Sequence, residues 1–79
     1  MAVQVPSIAR NVHYVSYGSP GGEFTSQHRA AIITDVLPDG RCSLCVLNPT
    51  GFFFNVAVEH DEESFRPGTW HWPEFVPAT

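Results

Sequence analysis

Two turn signals stand on either side of one short apolar segment. Leu37-Pro38-Asp39-Gly40-Arg41 comes before Cys42–Asn48, and Pro49-Thr50-Gly51 comes after it. Pro38 suits the first corner of a type I turn and Asp39 the second. Gly40 suits the left-handed position of a bulged hairpin. Links this short join antiparallel neighbours and leave no room for a crossover helix. The flanking segments read as strands. HRAAIITDVL (28–37) carries Ile32, Ile33, Thr34 and Val36, and FFFNVAV (52–58) is aromatic and β-branched. The centre of the chain is therefore a three-stranded meander.

The outer segments extend it. NVHYVSY (11–17) reads as a strand, and TWHW (69–72) as a short last strand stopped by Pro73. GSPGGEFTSQ (18–27) is a glycine- and proline-rich loop, and EHDEESFRPG (59–68) is a polar loop with room for one helical turn. Residues 1–10 form an N-terminal arm, and 11–79 a single domain. Five short strands with these links predict an all-β fold, a small five-stranded SH3-like barrel. Closing the sheet removes its edges. An OB-like barrel places a helix between its third and fourth strands, and the Pro49-Thr50-Gly51 link excludes one.

A chain of 79 residues makes one domain and buries only roughly 60–65% of its unfolded surface. Yet 43% of its residues are hydrophobic and only 15% charged, against about 25% charged in ordinary domains. Part of the apolar surface is expected to be covered by a partner or by further copies, and a homo-oligomer is the expected form. The net charge is −4, and the four basic residues are all arginines. That is a poor footprint for duplex nucleic acid, but an arginine and freed backbone N–H groups can still hold a small anion. No apolar run is long enough to span a membrane, and MAVQVPSIAR lacks the pattern of a signal peptide. A cytoplasmic protein with reduced Cys42 and Cys45 is expected.

Cys42-Ser-Leu-Cys45 has the spacing of half a zinc ribbon, but no second pair exists. Inside a strand its two ends point to opposite faces. Two small buried hydrophobes are the expected reading. His13, His28, His60 and His71 show no metal-helix spacing. His60 belongs to an acidic, solvated loop. His71 takes the strand face opposite Trp70 and Trp72, where it could act as a general base. No nucleophile stands at a recognisable spacing from it. No enzymatic activity, metal or cofactor is expected.

The aromatics carry the functional reading. Phe52 and Phe54 are assigned to the core with Ile32, Leu44 and Val46, leaving Phe53 and Asn55 outward. Tyr17, Trp70 and Trp72 compete for the same small interior. Phe53 then belongs to a subunit interface, a ligand wall, or a second small core beneath the arm. An amide such as Asn55 beside an aromatic wall can read a base edge. Asn48 and Thr50 also suit turn capping. The glycine-rich loop matches neither GxGxxG nor a P-loop, but it can form a rim with Tyr14 or Tyr17 stacking on a base.

The segments VHYVSYGSPGGEF, RAAIIT, VLNPTGFFFN and GTWHWPE, covering residues 12 to 74, resemble a family of short proteins found in actinobacteria and their phages. The resemblance implies a compact β protein of phage or prophage origin, and in similar proteins the CxxC positions need not be cysteine. By analogy of size and setting, the expected function is non-enzymatic. An oligomeric accessory protein would sequester a small anionic nucleotide, such as a cyclic nucleotide immune signal, in the host cell. The candidate ligand-binding residues are Tyr14, Tyr17, Arg29, Asn48, Phe53, Asn55, Trp70 and His71. The alternatives are an SH3-like interaction module gripping a host or phage protein, or a virion or assembly component.

Overall fold

A computed structural model describes residues 5–18 and 26–74. The glycine-rich loop at 19–25 and the ends at 1–4 and 75–79, on which part of the arm and rim readings fall, lie outside the described residues. The protein is all-β. Its strands are β1 (Asn11–Val15), β2 (His28–Val36), β3 (Cys42–Asn48), β4 (Gly51–His60) and β5 (Thr69–His71). They close in chain order into a five-stranded barrel of the SH3-like kind. Every neighbouring pair is antiparallel except β4 with β5. No helix among the described residues is long and apolar enough to cross a membrane.

The first turn is built as its residues demand. The Gly40 N–H donates to the Leu37 carbonyl and the Leu37 N–H to the Arg41 carbonyl. Gly40 takes φ 92°, where a side chain would be strained. The Asp39 carboxylate accepts from the Arg41 N–H at 3.0 Å and from its Nε at 2.7 Å. The base of the long loop is clamped as well. Ser16 N–H donates to the Gln27 carbonyl, and Ser26 Oγ donates to the Ser16 carbonyl at 2.6 Å.

Val12 and Tyr14 of β1, Ala31 and Ile33 of β2, Cys42, Leu44 and Val46 of β3, Val58 of β4 and Trp70 of β5 form the core. Two bulges bend the sheet around it. One lies in β2 between Ile33 and Asp35. The other sets Val56 and Ala57 of β4 against Ser43, with Ala57 at φ 58°. The arm joins at the first bulge: Ala9 N–H donates to Ile33 O and Ile33 N–H to Arg10 O. The Arg10 guanidinium stacks 4.7 Å over Trp72.

The face assignment of β4 needs correction. Asn48 pairs with Gly51, so the loop holds only Pro49 and Thr50, and glycine is the first residue of the strand. Phe53 therefore lies opposite Val46, and Asn55 opposite Leu44, on the inner face. Phe53 is 36% exposed, while Phe52 and Phe54 are 64% and 66% exposed on the outside. Ile32 is likewise outward, and Ile33 takes the core position. Cys42 is buried and Cys45 faces the other way, half-buried, as expected of i and i+3 in a strand.

Candidate functional site

Six of the eight candidate residues fall on the inner face. Tyr14 pairs in register with Arg29 on one side and with Trp70 on the other. The Tyr14 ring meets Phe53 edge to face, with centroids 6.2 Å apart, and its phenol is hydrogen-bonded to Asn55. Burial pushes the Tyr14 phenol up. Asn55 opposes that shift and nearby Tyr17 adds to it. Arg29 is half-buried, and its Nε has no hydrogen-bond partner. Asn48 shares the face by alternation but sits exposed at the end of β3. Trp70 is buried in the core and is not available to a ligand. The usable group is thus Tyr14, Arg29, Phe53 and Asn55, at the rim where the barrel opens between β1 and the first half of β4.

Tyr17 and His71 stand apart from this group. Tyr17 is exposed, and its ring covers Gly68, which has φ 82° and no Cβ to obstruct it. His71 is on the other face of β5 from Trp70. It is fully buried among residues that spacing alone did not connect. His13 pairs in register with His71, and their rings are 5.7 Å apart. His28 lies 4.8 Å from His71, and Phe65 covers His71 at 4.3 Å. Glu74 reaches all three imidazoles. Its Oε1 lies 2.9 Å from His13 Nδ1 and 2.7 Å from His28 Nδ1. Its Oε2 lies 2.8 Å from His71 Nε2, off the hydrogen-bond direction. Burial works to raise the Glu74 carboxyl, but His28, His71 and His13 outweigh it and hold it down at about 2. His13, His71 and Glu74 offer ligand atoms within 4.8 Å of one another. His71 and Glu74 stand three positions apart, but His13 and His28 come from other strands, and the sequence signal was that His13 and His71 alternate with inward Tyr14 and Trp70.

The outer face of β3 and β4 is the third feature. Ile32, Cys45 and Phe54 lie in one row across three strands, and Leu47 opposite Phe52 forms the next. Phe52 and Phe54 touch edge to face at 5.8 Å. Val56 extends the strip and is 76% exposed. Among the described residues, β5 pairs with β4 only at Glu59 and His60. No strand among the described residues lies beside the other edge of Gly51–Val58, and that stretch carries no charged side chain. No family model, curated protein or solved structure matches the chain.

Proposed function

We propose that the protein is a non-enzymatic interaction module that works as a homo-oligomer, associating through β4. The observation that supports this reading is the coincidence of an apolar outer face and an open edge on one uncharged stretch of strand. Ordinary monomers protect an edge with charge, proline or a cover. A second copy offers the same edge in the opposite direction, so the two β4 strands can pair antiparallel about a twofold axis. Phe52, Phe54 and Val56 of each copy would then lie side by side across the seam, each partly covered by its counterparts. The phage or host-cell setting rests on the resemblance of residues 12 to 74 alone. Sedimentation equilibrium over a wide concentration range tests the reading: a reversible dimer supports it, and a monomer at all concentrations removes it.

A second reading is favoured by Arg29. A small anionic ligand such as a nucleotide would stack on Phe53 and Tyr14, take a hydrogen bond from Asn55 and engage the guanidinium, whose Nε is otherwise unpartnered. Thermal melting against a panel of linear and cyclic nucleotides checks it. A ligand at a hundred times its Kd stabilises by about 2.7 kcal/mol. A selective shift that disappears in Arg29→Gln supports this site, and a flat panel rejects it.

A further inference from the structure

We infer that His13, His71 and Glu74 form a binding site for one divalent transition-metal ion of the zinc class, with His28 beside it on the same carboxylate. The cluster lies on the opposite face of β1 and β5 from the core. It is independent of the β4 surface and of the Tyr14–Arg29 group.

The first argument is the donor set. Two imidazoles and one carboxylate suit borderline ions such as Zn²⁺, whereas Ca²⁺ and Mg²⁺ take mainly oxygen. The second is position. β1 and β5 pair His13 with His71, and β2 brings His28 beside Val15 of β1. Tetrahedral zinc at 2.0–2.1 Å requires donors roughly 3.3 Å apart. The widest spacing among the His13, His71 and Glu74 donors is within 4.8 Å. Side-chain rotations of the part-exposed His13 and Glu74 can close that gap, while His71 is fixed by its burial.

The third argument comes from His71 itself. A carboxylate network explains His13 and His28, each of which can donate Nδ1–H to Glu74. It reaches only one side of His71, which has no exposed surface: Nε2 lies 2.8 Å from Glu74 Oε2, off the hydrogen-bond direction, and Nδ1 has no hydrogen-bond partner. A buried polar atom without a partner is costly. An ion bound at Nε2 would replace the poorly directed contact with Glu74 Oε2 and draw that carboxylate into the same coordination shell. Phe65 supplies the apolar cover over His71. An open cleft of about 440 Å³, lined by Ser26, Gln27, His28 and Glu74, gives the ion a route in. A bound ion would staple the segment after β5 to β1 and β2.

The test is titration of the chelator-treated full chain with ZnCl₂ by calorimetry, and with CoCl₂ by visible absorption. One ion per chain is expected, with the visible bands of Co²⁺ in a low-symmetry site and a melting temperature raised by several degrees. Glu74→Gln and His13→Gln keep side-chain size and should each weaken binding at least tenfold. His60→Gln and Cys45→Ser should leave it unchanged. Absence of heat and of Co²⁺ bands in the wild type overturns the site. So does binding that survives Glu74→Gln and His13→Gln together, or that is lost with Cys45→Ser.

Discussion

Phe54→Ala is the sharpest probe of the β4 surface. The wild-type ring is 66% exposed. A phenylalanine presents about 200 Å², so roughly 130 Å² is open to a partner. Pairing along the strand edge covers only the flank toward the seam, roughly half of it, which at about 25 cal/mol per Å² contributes about 1.5 kcal/mol per copy. Alanine retains a small part of that area, and a twofold contact loses the ring twice. The dimer should therefore weaken by about 2–3 kcal/mol, on the order of a hundredfold in Kd. The fold of each chain should hardly respond, because an exposed substitution without a specific partner shifts stability by about 0.5 kcal/mol or less. Within the chain, the edge-to-face contact with Phe52 is lost. Sedimentation equilibrium reads the association, and urea denaturation of the variant reads the fold. A variant that associates as tightly as the wild type would show that β4 is not the seam. A variant that falls apart because it unfolds would show that Phe54 supports the barrel itself.

Other outcomes follow from the same geometry. Leu44→Ala removes a fully buried side chain at the centre of the barrel and should lower stability by about 2–5 kcal/mol, measured by the urea midpoint. Ala57→Val places a β-branched residue at φ 58° and should lower it by about 1–3 kcal/mol, whereas Ala57→Gly should not lower the melting temperature. Asp61 accepts from the Ser64 N–H, the Arg66 side chain and the Arg66 and Glu63 N–H groups, which hold its carboxyl well below its ordinary value. Because the folded value is depressed, its contribution is full above the ordinary carboxylate range and fades as pH falls below it. Acid titration of the melting temperature should thus lose part of its slope in Asp61→Asn.

The strands and the barrel were legible because the turn residues punctuate them and because the connections are too short for anything else. What misled was one residue of loop length. Counting Pro49, Thr50 and Gly51 as the turn sets Val46 against Phe54; the actual two-residue loop sets it against Phe53. A slip of one residue turns every side chain of a strand over, so the aromatic pair was placed inside and the lone ring outside. The β2 bulge had a similar effect at Ile32 and Ile33, because no local pattern marks where an extra residue enters a ladder. Tyr14, Arg29 and Trp70 share the inner face because they sit on regular pairs. The histidine–glutamate cluster was beyond reach. His13 and Glu74 are 61 positions apart, and only closure of the barrel makes them neighbours.

That closure depends on β5, a strand of three residues. Trp70 plugs the interior and His71 plugs the exterior cluster, so adjacent side chains serve opposite sides of the sheet. If β5 detaches, both clusters lose a central member in one event. Partial opening thus gains little freedom before it forfeits everything, and the barrel should unzip as a single cooperative unit. In hydrogen exchange, the amides of β1 and β4 that face β5 should then open together, at one common rate.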